Sequence, residues 1–210
     1  MELDPHRLVL FLHVLLFVYW LGGDLGVLVS GVAANHKDVT RDAKVRLRGV
    51  ADLLDMGPRT CLVLMVPVGL TLSRAFGLPI SPAFLGLAWV VGIAWAALVW
   101  IVHLQHGSPL GKLLWKVDFG LRILAAALFT GLGGLSLATG EPVAAKWLAM
   151  KMILFGLVIF MGIVIRIMLL MSKPLVDQGP RPFWTPLRMV VFSIWGLVAV
   201  IAFLGVVKPF

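Results

Sequence analysis

Apolar positions in this chain run in long unbroken blocks. They show neither the alternation of a half-buried strand nor the one-sided stripe of a soluble helix. A helix needs about 20 apolar residues to cross a hydrocarbon core. Six blocks meet that length: Leu8–Ala34, Leu53–Phe76, Ala83–Val102, Leu114–Ala138, Val143–Met171 and Phe183–Val207. The expected fold is all-α, a polytopic membrane helix bundle forming one integral membrane domain over 1–210. The breaks carry helix-stopping residues: Gly77-Leu78-Pro79, Ser81-Pro82, Gly107-Ser108-Pro109, Gly140-Glu141-Pro142 and Gly179-Pro180-Arg181-Pro182. Pro58 and Pro67 fall within the second block and predict a kinked helix there. The more polar segment 35–52 reads as a helical extension or a surface-lying connector.

Composition narrows the class further. The chain is 60% hydrophobic and 13% charged, too few charges to cover a water-facing surface and too apolar for disorder. The net charge of +8 is read as an orientation signal rather than as a nucleic-acid footprint. Lys37, Arg41, Lys44, Arg46 and Arg48 fall between spans 1 and 2, Lys112 and Lys116 between spans 3 and 4, and Lys173 and Arg181 between spans 5 and 6, with Arg188 close by. The opposite side holds only Arg7, Arg74, Lys146 and Lys208. By the excess of Lys and Arg in cytoplasmic loops, both termini face away from the cytoplasm of a bacterial inner membrane. The start Met-Glu-Leu-Asp-Pro-His-Arg is not basic and the first apolar run is long, so an uncleaved span is expected. The single Cys61 forms no internal disulfide. The expected surroundings are the lipid bilayer and a homo-oligomer or membrane complex.

Ionisable residues inside spans are costly and mark functional candidates. At 100° per residue, His6, His13, Trp20 and Asp24 share one stripe of span 1, with Gly22 and Gly23 beside it to allow close helix contact. The stripe is expected to point into the bundle, either toward a ligand or toward hydrogen-bonding neighbours. Asp118 and Arg122 form an i,i+4 pair on span 4, read as an internal ion pair. Gly131, Gly133 and Gly134 further along suit close packing. Lys151 sits roughly 12 Å in from the non-cytoplasmic side and His13 roughly 9 Å, a similar depth. Lys151 and Arg166 are both long enough to snorkel to an interface. His103 and His106 end span 3 at the other side as an i,i+3 pair, too few ligands for a bare metal ion by themselves. They stand too far from His13 to share one haem iron across a core of about 30 Å. Arg59 can pair with Asp55 or Asp24, or grip an acidic group. No nucleophile–base set, paired glutamates, phosphate-binding glycine loop or cysteine ligand set appears, so hydrolytic and nucleotide chemistry have no support.

Leu12-His13 followed by Tyr19-Trp20-Leu21-Gly22-Gly23 resembles the opening helix of HemJ-type and CopD-type membrane proteins. Met56-Gly57-Pro58 is similar to a Met-x-Pro at the start of the second HemJ-type helix. Trp147-Leu148-Ala149-Met150-Lys151 resembles that family's tryptophan-led helix with its lysine, and Val206-Val207-Lys208-Pro209-Phe210 a HemJ-type C-terminus. The likeness covers about half the chain in patches. HemJ-type proteins bind haem b and oxidise protoporphyrinogen, and CopD-type proteins are linked to copper handling. The resemblance implies haem b with His13 as iron ligand, Lys151 as a propionate or substrate partner, and a redox or tetrapyrrole-related role. Arg59 and Trp20 are the further pocket candidates. The chain departs from the family in having six spans where about four are usual. It also lacks the histidine and arginine expected after the lysine, unless Arg166 stands for one of them. Two other readings stand beside it, a cofactor-free membrane subunit or assembly factor and a CopD-like copper transporter.

Overall fold

The computed structural model describes residues 4–36, 38–76, 78–172 and 184–208. Those residues form seven helices: α1 (Pro5–Ala34), α2 (Arg41–Leu54), α3 (Met56–Ala75), α4 (Pro82–Leu104), α5 (Pro109–Thr139), α6 (Lys146–Ser172) and α7 (Trp184–Val207). Six runs are long and apolar enough to cross a membrane, α2 and α3 counting as one. The all-helical membrane fold expected from the apolar blocks is therefore what the chain adopts. The 179–182 break, together with Lys173 and Arg181, lies outside the described residues.

The helix starts follow from local chemistry. Asp4 accepts a hydrogen bond from the His6 amide at the head of α1, Thr40 from Ala43 at α2, and Ser81 from Phe84 at α4. Pro5, Pro82 and Pro109 occupy first-turn positions, where a missing amide hydrogen is harmless. Gly107 and Gly140 hold left-handed φ values of 93° and 80° in the connections flanking α5. Within the spans, hydroxyls bond to their own helix: Thr60 donates to Met56 O, Thr71 to Pro67 O, Ser73 to Gly69 O and Ser193 to Met189 O. Such back-bonding lets a hydroxyl sit in hydrocarbon without a stranded donor.

Two compact units emerge, Met1–Trp115 and Lys116–Phe210, with the boundary inside α5. In the first, α1 runs antiparallel to α3 and α2. Four contacts fix the register. The His6 ring meets Phe76 edge-on at 5.6 Å, and His13 Cε1 lies 4.0 Å from where a Cβ on Gly69 would stand. A Cβ on Gly23 would fall 2.5 Å from Pro58 Cδ, and one on Gly26 2.9 Å from Leu54 Cδ1. Gly23 is thus the close-contact glycine, whereas a Cβ on Gly22 would meet nothing.

The second apolar block resolves differently from expectation. Asp55 separates two helices, and Pro58 falls in the first turn of α3, where no helical bond is lost. Only Pro67 is interior. Segment 35–52 does become a helical extension, since α2 packs along the last part of α1 and precedes α3 directly.

α3 and α4 are held by two matching rungs. Trp89 Nε1 donates to Thr71 Oγ1 and Trp100 Nε1 to Thr60 Oγ1, each at 3.1 Å. Between them Gly92 closes on Pro67, whose Cγ would lie 2.9 Å from an added Cβ. Each threonine hydroxyl passes its own proton to an i−4 carbonyl, so every donor in the rung is used. Trp100→Phe is expected to lower stability by about 1 kcal/mol, and Trp89→Phe by a similar amount. The rungs lie eleven residues apart on α3, so the two losses should add in a melting experiment in detergent, to about 2 kcal/mol.

In the second unit α5 crosses α6 at paired glycines. A Cβ on Gly133 would fall 2.7 Å from Ile153 Cγ1 and 2.8 Å from Ala149 O, and one on Gly156 2.9 Å from Ala126 O. The Phe129 and Phe155 rings meet edge-to-face at 5.0 Å beside this crossing. Gly131 and Gly134, also expected to pack closely, meet nothing within contact range.

Candidate functional site

The stripe on α1 points where its spacing says it should. His6, His13, Trp20 and Gly23 recur at seven- and three-residue intervals, and the contacts above turn them toward α3. Trp20 is buried, while His13 and Asp24 are half-buried. The His13 imidazole faces Gly69, its Cε1 4.0 Å from where a Cβ on that glycine would stand. Asp24, next to Gly23, stands level with the α2–α3 junction rather than deep in the span.

Arg59 pairs with Asp55 one turn earlier. Ten residues of α3 separate it from Gly69, about 15 Å at the helical rise. Its bound partner lies further away still, so Arg59 is remote from the level of His13. Arg74, in the last turn of α3, stands only five residues from Gly69, about 8 Å on the same count. The spacing of charges along α3 could have signalled this, but the antiparallel register had to be known first.

His103 stacks edge-on against Trp100, with ring centroids 6.4 Å apart. Because Trp100 bonds Thr60, both lie toward the start of α3. His13 lies opposite Gly69, nine residues or about 14 Å further along. His103 and His106 therefore cannot share an iron with His13. Among the described residues no group of three or more His, Cys, Asp or Glu side chains could hold a metal ion. Among those residues the His103–His106 pair gains no third ligand.

The second unit holds a charge cluster that the sequence only half revealed. Asp118 Oδ2 accepts from Arg122 Nε at 3.1 Å and from Arg166 Nη1 at 2.6 Å. The side chains are 2%, 6% and 12% exposed, in that order. The expected Asp118–Arg122 ion pair is present. Arg166 does not snorkel: it turns inward across α5 and α6 to the same oxygen. Charge-assisted bonds of this kind are among the strongest a protein makes, and they let guanidinium groups remain inside a span.

Lys151, on α6, lies over α7. A Cβ on Gly205 would come 2.7 Å from its Nζ. Lys208, three residues beyond Gly205, sits over the Trp147 ring at 5.7 Å. Trp147 is one turn before Lys151, so two cations and an aromatic gather where α6 begins and α7 ends. His13, Trp20 and Arg59 belong to the first unit and Lys151 to the second.

No family model, curated protein or solved structure matches this chain.

Proposed function

We propose that the protein is an inner-membrane haem b protein with a redox or tetrapyrrole-related role, and that His13 is the axial ligand to iron. The observation that carries this reading is the placement of His13. It is a half-buried imidazole within a span, facing a glycine on the neighbouring helix, with no cluster of further ligands among the described residues. A bare copper or zinc ion needs several protein donors. Haem supplies its equatorial nitrogens itself, so one imidazole suffices to anchor it, and when bound it would supply the iron redox couple. The donor set thus fits haem better than copper transport.

Trp20, buried on the same stripe, would wall the pocket with apolar surface. Asp24 and the α2–α3 junction close the stripe on one side. For the haem carboxylates, Arg74 is better placed along α3 than Arg59. Both termini would lie on the non-cytoplasmic side, as the Lys and Arg distribution implies.

The test is an optical spectrum of the protein purified from haem-supplemented cells. The expected result is a Soret band that shifts on reduction, is lost in His13→Ala, and persists in His103→Ala and His106→Ala. A colourless preparation, or a spectrum unchanged in His13→Ala, would overturn the assignment. Colourless protein that copurifies with a stoichiometric partner would instead favour a cofactor-free membrane subunit.

A further inference from the structure

The seam between α6 and α7 ends on two ammonium groups. Lys151 Nζ lies against Gly205, 2.7 Å from where a Cβ would stand, and Lys208 Nζ lies over the Trp147 ring at 5.7 Å. Trp147 and Lys151 are four residues apart and share a face of α6. Gly205 and Lys208 are three apart and share a face of α7. The two ammonium groups are therefore on the same seam, within electrostatic reach of each other, and like charges repel.

Lys151 is half-buried and makes no hydrogen bond or ion pair with any described residue. The described carboxylates of the second unit are Asp118 and Glu141. Asp118 is engaged by Arg122 and Arg166, and Arg166 stands fifteen residues along α6 from Lys151, about 22 Å at the helical rise. Glu141 is exposed on the connection before α6 and forms no ion pair among the described residues. Against that one carboxylate the same end carries Lys146, Lys151 and Lys208.

Depth decides what Lys151 needs. α6 has 27 residues, about 40 Å, so centred on a core of about 30 Å it projects about 5 Å beyond each face. Trp147 then lies in the headgroup layer, with Lys208 over it. Lys151 is about 7.5 Å from the head of the helix, just inside the hydrocarbon. An ammonium ion there is costly without an anion. Snorkelling would carry it toward Lys208, relieving one cost by raising another.

We propose that Lys151 and Lys208 form a binding site for the phosphate of an anionic membrane lipid, with Trp147 as its wall. One phosphate between the two ammonium groups offsets both charges, and headgroups present phosphates at this level. Basic pockets between spans suit such headgroups. Gly205 belongs to the site, because its missing side chain lets Lys151 reach α7 on the face that carries Lys208. The inference is independent of haem.

The full chain, purified in a neutral detergent, is titrated with phosphatidylglycerol or phosphatidylcholine, and bound lipid is counted by native mass spectrometry. The expected result is tighter binding of phosphatidylglycerol, weakened about fivefold in Lys151→Gln and about fivefold in Lys208→Gln. Gly205→Ala should weaken it without removing a charge, because the methyl displaces Lys151 Nζ. Lys146→Gln is the matched control: it removes the same charge at the same end, from a face of α6 about 140° away from Lys151, and binding should hold. An equal loss in Lys146→Gln and Lys208→Gln would overturn the proposal, since net charge and not a site would then account for binding. Both residues are exposed, so that comparison does not depend on the Lys151 variant folding. Equal binding of the two lipids by the parent would also overturn it. Release of phosphatidylglycerol by millimolar inorganic phosphate would assign the lysines to a soluble phosphate and overturn the lipid as their occupant.

Discussion

Asp118→Asn is expected to destabilise the second unit by about 3–5 kcal/mol, the usual consequence of removing one partner from a buried ionic group. One carboxylate oxygen receives both Arg122 Nε and Arg166 Nη1. An amide in its place keeps the shape but not the charge, and leaves two guanidinium groups inside the helix pair with a weak acceptor between them. The arginine variants should behave differently. In Arg122→Met or Arg166→Met, Asp118 still has one guanidinium on the same oxygen, so the pair that remains is balanced. Each should cost less than Asp118→Asn, and a variant with all three positions made apolar should recover much of the loss. Thermal unfolding of the purified protein in detergent measures this order. Asp118→Asn melting alongside the parent, or an arginine variant melting below it, would show that the cluster is not held by its carboxylate.

Gly156→Ala should cost about 1–3 kcal/mol or more by overpacking, even though alanine is the better helix former. The added methyl would meet Thr130 Oγ1 and the backbone of α5, with Ala126 O and Thr130 N each 2.9 Å away. Backbone atoms cannot rotate aside, so the two helices would have to separate, carrying the Phe129–Phe155 contact and the Asp118–Arg166 bridge with them. Gly162→Ala, six residues along the same helix, is the matched control. Nothing lies within 4 Å of a Cβ there, so only helix propensity acts, and stability should hold or rise by up to about 1 kcal/mol. Resistance to unfolding by a denaturing detergent reads both. Equal responses at the two positions would mean that α5 and α6 do not cross at Gly156.

These two helices also show where sequence reasoning stops. The Asp118–Arg122 pairing was legible because i,i+4 neighbours must be adjacent on any helix. Arg166 was not, because its partner lies 48 positions away and a long side chain near a membrane end satisfies its charge equally well by snorkelling. The glycines behave alike. Gly131, Gly133 and Gly134 are equivalent in sequence, and only the crossing point singles out Gly133.

On α1 the division falls elsewhere. Seven-residue spacing put His6, His13 and Trp20 on one face, and burying that face followed from its polarity. What lay opposite was undetermined, and the register of α3 supplied it: Gly69 at His13, Pro58 at Gly23, and Arg59 carried away from His13 toward Asp55.

By itself, then, the sequence determined the membrane class, the six apolar runs, the capping of the helices and the faces they bury. Those depend on composition and on contacts within a few residues. The tertiary structure alone decided that Arg166 joins Asp118, that α2 stacks ahead of α3 along α1, and which glycines are crossing points. Those depend on the relative register of helices distant in the chain. Apolar lipid-facing residues exert little preference over that register, and a few polar groups and small residues fix it by matching one another in space.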